Sequence, residues 1–398
     1  MAVDINKKKI DGLLNRGVDE VIDKKNLEKK LLSGQQLRIK FGIDPTSPDI
    51  HLGRAIPLLK LRDFQELGHK IVFIIGDFTG LVGDTSDKES ERPMLDKSTV
   101  KNNLKNYLRQ VRKILSAKNL EVKFNSRWLA RLDFNDISVQ ADQFSVADFI
   151  ARDNIKKRLM VGKRVSLREV LYPLMQGYDS VAIRADVEIG GTDQRFNLLA
   201  GRTMQNYFGQ TPQDVLMTNL IMGTDGRKMS SSWGNTINLD DSPINMFGKV
   251  MKINDAEIID YFIHCTRYPM NEIDKFKSDL KTKNPRDIKQ ILAFEIVKII
   301  YNEKEAESAE QHFVSVFQKK EIPSDIKIIE IEQKNIQVQD LLKIVLPDSS
   351  GSEVKRLLDQ NGVKLAGETL KIDQKIELDS QKKLLTIGKR QFFYITLK

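Results

Sequence analysis

The stretch "GIDPTSPDIHLGRAIPLLKLRDF", from Gly42 to Phe64, sets a histidine and a glycine where an extended, proline-broken segment gives way to helical periodicity. Unpaired N–H groups at a helix start point outward and the helix dipole favours an anion there, so His51 and Gly53 suit a phosphate. Glycine lets the backbone approach closely, and the histidine can donate from the same place. Taken alone, "HLG" is a weak signal, because a histidine near a helix start is more often a cap or a surface residue. Downstream, "IIGDFTGLVGDTSDKESER" joins Gly76, Gly80 and Gly83 to Thr79, Thr85, Lys88 and Arg92. Glycines followed by spaced cations suit a polyphosphate, although neither common nucleotide-loop pattern is present.

Three further stretches carry polar groups at suggestive spacing. "YPLMQGYD" places Tyr172, Gln176 and Asp179 three to four residues apart, so a helix presents all three on one face as a wall for a small polar ligand. "GGTDQ" offers Asp193, a carboxylate for a ribose hydroxyl pair, and "DGRKMSSSWGN" presents Lys228 with three serines in a glycine-bounded loop. Such a loop suits closure over a phosphate chain. No Ser/His/Asp or Cys/His arrangement for nucleophilic catalysis stands out.

The elements that must position these residues follow from apolar patterning. "RIKFGID" and "KIVFIIGDF" read as buried strands, with Leu52, Ile56, Leu59, Phe64 and Leu67 at helical spacing between them. This βαβ unit predicts an α/β fold with a Rossmann-like parallel sheet, whose ligands bind beyond the carboxyl ends of the strands. Pro57 sits one turn inside the expected helix and should remove a donor and bend it, unless the helix starts later. The first forty residues read as a mostly helical lead-in. From about 100 to 184 the pattern is helical around a candidate strand "VKFNSRW", an insertion in a catalytic domain spanning 1–227. A helical domain is expected over 228–320, a charged, proline-containing linker over 321–335, and a small α+β unit of two helices followed by strands over 336–398.

Composition sets the bounds. A chain of 398 residues is too long for one ordinary core, and 40% hydrophobic residues without low-complexity tracts is a globular balance. A single cysteine, Cys265, forms no internal disulfide, and four scattered histidines give no metal-ligand cluster. The start lacks a signal-peptide core and no apolar run reaches the length of a membrane span, so a cytoplasmic protein is expected. A formal charge of +9 attracts phosphate-rich partners without naming one.

Together and in this order, the motifs resemble the class I aminoacyl-tRNA synthetases, and within them the bacterial tyrosyl-tRNA synthetases. "HLGR" is similar to the HIGH signature of that class and "KMSSS" to its KMSKS signature, while "GDFTGLVGD", "YPLMQGYDS" and "GGTDQ" fill the intervals as in the tyrosine enzymes. The terminal unit resembles a small RNA-binding domain of a ribosomal protein; from Ile336 to the end it carries 11 basic and 8 acidic residues. The resemblance implies activation of tyrosine with ATP to tyrosyl-adenylate and pyrophosphate, then transfer to the terminal ribose of tRNA(Tyr). It also implies a homodimer, a helical anticodon-binding domain over 228–320, Mg2+ accompanying ATP, no tightly bound cofactor and no protein metal site.

Carried over position by position, the resemblance puts Gly42, Asp44, Thr46, His51, Gly53, Arg54, Gly191, Asp193, Lys228, Ser231 and Ser232 on ATP. Lys88, Arg92 and Lys228 stabilise the leaving pyrophosphate and act with His51 as the catalytic set. Asp84, Tyr172, Gln176 and Gln194 surround the tyrosine ammonium and carboxylate, and Asp179 accepts from its phenol. Arg54 replaces the final histidine of HIGH, and Ser231 the second lysine of KMSKS. Lys40 and Glu188 stand where many relatives have tyrosine and glutamine. Two rival readings are the tryptophan enzyme, disfavoured by Asp179 and the RNA-binding unit, and a synthetase-like RNA-binding protein without catalysis, disfavoured by the intact Asp84, Gln176, Asp179 and Asp193.

Overall fold

The computed structural model describes residues 3–84, 96–318, 326–347, 349–388 and 391–398. By internal contacts the chain divides into two units, Met1–Glu307 and Ser308–Lys398.

The first unit is built on a six-stranded sheet. Its strands are β1 (Val18–Ile22), β2 (Arg38–Ile43), β3 (Lys70–Ile75), β4 (Leu120–Phe124), β5 (Val187–Gly191) and β6 (Asp214–Thr218), in the order β1-β6-β5-β2-β3-β4. All pair in parallel except β1, which runs antiparallel to β6. Burial of Ile71 through Ile75 to within 1% shows why the run is continuous rather than alternating: helices cover both faces. The chain steps outward from β2 to β3 and β4, then returns to β5 and β6 on the other side of β2. That reversal opens a crevice at the carboxyl ends of β2 and β5, where an open α/β sheet binds its ligands.

The expected helix after β2 runs Leu52–Glu66 and continues straight through Pro57. Proline costs about 3 kcal/mol or more inside a helix, and the donor it lacks would have served the Gly53 carbonyl. Burial of Leu52, Ile56, Leu58, Leu59, Leu61 and Phe64 outweighs this, each large apolar side chain contributing about 1.5–3 kcal/mol. The candidate strand "VKFNSRW" is β4 as far as Phe124 and turns into a short helix at Ser126–Leu129. The lead-in is not all helical: β1, "VDEVI", lies between the helices Lys7–Asn15 and Lys24–Leu32. Its charged residues suit an edge position, where one flank meets solvent.

The second unit has a five-stranded sheet formed by β7 (Lys327–Ile331), β9 (Val363–Leu365), β10 (Glu368–Thr369), β12 (Lys383–Ile387) and β13 (Gln391–Leu397), and a two-stranded one formed by β8 (Asn335–Gln337) and β11 (Lys375–Glu377). Helices Val338–Val345 and Gly351–Asp359 supply Val338, Leu341, Leu342, Val354 and Leu358 to its core. The stretch 321–335, read as a linker, contains β7, which pairs in parallel with β13. Charged residues on the exposed positions of "KIIEI" hide that strand from a composition-based reading. Among the described residues no helix is long and apolar enough to cross a membrane.

Candidate active site

At the crevice lies a cavity of about 890 Å³. Every expected site residue within the described chain lines it: Gly42, Asp44, Thr46, His51, Gly53 and Arg54 around the end of β2; Asp84, Tyr172, Gln176 and Asp179 along one wall; Gly191, Asp193 and Gln194 after β5; and Lys228, Ser231 and Ser232 from the signature loop. Lys88 and Arg92 lie outside the described residues.

The wall is held by hydrogen bonds that begin at the end of β2. Asp44 accepts from the Thr79 hydroxyl at 2.7 Å on one carboxylate oxygen and from the Tyr172 phenol at 2.8 Å on the other. Assigned to ATP by the resemblance, Asp44 thus also orients the wall that carries Tyr172. Burial and the nearby Asp44 and Asp84 carboxylates hold the Tyr172 phenol well above its ordinary pKa, so it stays a donor. Only glycine fits at Gly76, where a Cβ would stand 1.9 Å from an Asp44 oxygen. Gln194 donates to Asp84 at 2.6 Å.

Asp179 is 4% exposed. The Trp128 indole donates to one of its oxygens at 2.7 Å and the Asn125 amide to the other at 3.3 Å. Burial pushes its carboxyl up to about 7, against the opposing pull of Lys40 and of the two donors. Asn125 also donates to Thr79 at 2.9 Å and accepts from the Phe78 backbone at 3.0 Å. Neither Asn125 nor Trp128 was anticipated from sequence. Their one signal is position, just past the carboxyl end of β4.

The nucleotide signatures meet each other. His51 precedes the first turn of Leu52–Glu66 in extended conformation and pairs by a β-bridge with Asn238. The Gly53 N–H donates to the Met229 sulfur at 3.3 Å, so the "KMSSS" loop sits over the start of that helix. Asn235 fastens the loop, accepting from the Ser230 backbone at 2.8 Å and donating to Asp225 at 2.7 Å and to the Lys228 carbonyl at 3.1 Å. Arg54, in place of the signature histidine, donates to the Tyr107 hydroxyl at 3.1 Å and to Thr46 at 3.3 Å. Lys228 pairs with Asp193 at 3.0 Å.

Two chemistries therefore share one cavity. Asp84, Asp179, Gln176 and Tyr172 suit a small zwitterion carrying a hydroxyl, whereas His51, Arg54 and Lys228 suit phosphates. The description "tRNA synthetases class I (W and Y)" belongs to the family model that matches residues 32–318. A tyrosine–tRNA ligase of Thermotoga maritima is 45% identical over 388 residues, covering 96% of each chain. Another, of Mannheimia succiniciproducens, is 43% identical over 387 residues, 97% of this chain and 98% of that one. Among solved structures, the tyrosyl-tRNA synthetase of Archaeoglobus fulgidus, complexed with L-tyrosine, matches with a TM-score of 0.61 at 21% identity, over 77% of this chain and 100% of its own. A truncated mitochondrial tyrosyl-tRNA synthetase of Aspergillus nidulans gives 0.66 at 22% identity, over 78% and 95%. With the cavity at the switch point, both signatures at its rim and full-length relatives at this identity, the chain belongs to the tryptophan and tyrosine branch of the class I tRNA synthetases.

Proposed function

We propose that this protein is an enzyme that activates tyrosine with ATP, giving tyrosyl-adenylate and pyrophosphate, and then passes the tyrosyl group to the terminal ribose of tRNA(Tyr) in the cytoplasm. The observation that carries the reading is Asp179, a buried acceptor with two donors behind it, in the same cavity as a lysine and a histidine from the two nucleotide signatures. An acceptor so placed selects a phenol over a phenyl ring.

In the first step the amino acid's own carboxylate attacks the α-phosphorus, so no protein nucleophile is required and catalysis rests on positioning and charge stabilisation. Asp84, Tyr172, Gln176 and Gln194 fix the ammonium and carboxylate. Asp193 takes the ribose, Gly42, Thr46, Gly53 and Gly191 admit the nucleotide, and His51, Arg54, Ser231 and Ser232 meet the phosphates. Lys228, with Lys88 and Arg92, stabilises the departing pyrophosphate. Among the described residues no group of three His, Cys, Asp or Glu side chains could hold a metal ion. Mg2+ enters with ATP as part of the substrate, carried by the triphosphate. The helices of 228–320 and the unit beyond Ser308 are the proposed tRNA-binding parts.

Amino-acid-dependent ATP–pyrophosphate exchange with each of the twenty amino acids tests this reading. Exchange with tyrosine alone is expected. Exchange with tryptophan instead, or with none, overturns it.

The active form is proposed to be a homodimer. Exposed apolar side chains concentrate along the sequence between residues 134 and 167, with Phe134 at 85%, Met160 at 77% and Leu167 at 73%, and exposed apolar surface suits association between copies. Sedimentation should give twice the chain mass, and Phe134→Asp with Met160→Asp should lower it to one; a monomeric unaltered protein would sink the assignment.

A further inference from the structure

Beneath the proposed amino-acid site lies a charged pair that neither signature requires. Lys40 on β2 and Glu188 on β5 are register partners across the switch point, and they are 0% and 1% exposed. The Lys40 ammonium uses all three protons: on the Gln176 carbonyl at 2.7 Å, the Ser180 hydroxyl at 2.7 Å and Glu188 at 2.8 Å. Glu188 in turn accepts from the Gln176 side-chain amide at 3.1 Å on the oxygen that faces Lys40, and from Ser180 at 3.2 Å and Gln213 on the other. Gln176 is gripped twice, by its carbonyl and by its side chain.

A carboxylate accepts and cannot donate. The Gln176 group facing Glu188 must therefore be the NH2, which leaves the amide oxygen for the cavity that Gln176 lines. Glutamine at 188 could turn either end toward Gln176 and would leave that choice open. Glutamate removes the choice, and a buried glutamate needs a cation beside it, which the register supplies as Lys40.

We infer that Lys40 and Glu188 are positioning residues that lock Gln176 with its oxygen toward the substrate, so that it serves as an acceptor for the amino acid's ammonium group. The inference rests on reading the cavity as the tyrosine site. It accounts for two fully buried charges in the central strands, and it gives the pair a part in recognition of the amino group besides the pull that Lys40 exerts on Asp179.

The test is Lys40→Met/Glu188→Leu, which replaces a buried ion pair by apolar residues of similar volume, a change such sites often tolerate. L-Tyrosine and its deaminated analogue, hydroxyphenylpropionate, differ only in the ammonium; affinity for each is read from exchange and its inhibition. In the double variant the preference for tyrosine over the analogue should fall about tenfold or more, the worth of one hydrogen bond to a charged group, with the KM for ATP unchanged. General loosening of the pocket would weaken both ligands together and leave the ratio intact, and that result overturns the inference. Should the leucine variant not fold, methionine at both positions gives the same readout. If the unaltered protein activates no tyrosine, the functional reading has failed and this inference falls with it; an unchanged ratio in an active variant removes this inference alone.

Discussion

Replacing Lys228 by alanine is expected to slow tyrosyl-adenylate formation about 10²- to 10³-fold while leaving the KM for tyrosine within about twofold, the loss typical of a donor aimed at transition-state charge. The Lys228 side chain is 36% exposed and its ammonium pairs with Asp193 at 3.0 Å. An exposed pair of this kind contributes at most about 1 kcal/mol to folding, so the variant should unfold at nearly the same denaturant concentration as the unaltered protein. Single-turnover adenylate formation separates the chemical step from binding. Lys228→Arg keeps the charge but changes its shape and should recover only part of the rate. Were Lys228→Ala to raise the KM for ATP with kcat untouched, the lysine would be holding the ground state and its assignment to the leaving pyrophosphate would fail.

The frame of this site was readable because its signals are of two kinds that sequence displays well. A continuous apolar run marks β3 and alternating Ile39, Phe41 and Ile43 mark β2, while helical spacing from Leu52 to Leu67 marks the element that returns between them. Glycines next to those runs then fall at the carboxyl ends of the strands. Less visible were elements with weak or mixed patterns: β1 and β7 are short and carry charged residues, so composition disguised them as lead-in and linker. Within the site, Asn125 and Trp128 could not be found by spacing, because their partner Asp179 lies 54 and 51 residues away. Lys40 and Glu188 stood out in the sequence only as departures from the tyrosine and glutamine of many relatives. Only the register between β2 and β5 shows that they belong to each other.

Asp179 carries the prediction with the sharpest signature. Its carboxyl, pushed up to about 7 by burial, changes charge within the working pH range. The folded-state value lies above the ordinary 3.8, so the protonated form is the one folding favours: this group's contribution to stability is complete below about pH 4 and is lost as pH rises through 7. Recognition runs the other way. The carboxylate accepts strongly from a phenol, whereas the protonated acid accepts weakly, and phenylalanine leaves the charged form one donor short of what tyrosine supplies. Discrimination of tyrosine from phenylalanine, measured as the ratio of kcat/KM in exchange, should therefore rise between pH 6 and 8. A buried site built for a hydroxyl rejects the analogue that lacks it, tyrosyl-tRNA synthetases being the known example. Asp179→Asn retains an acceptor without a titrating charge; it should lower the ratio at pH 8 by about 10- to 100-fold, the range for losing a hydrogen bond to an ionised group, and flatten its pH dependence. A ratio that stays steep with pH in that variant would place the titrating group elsewhere and overturn the assignment of this pH dependence to Asp179.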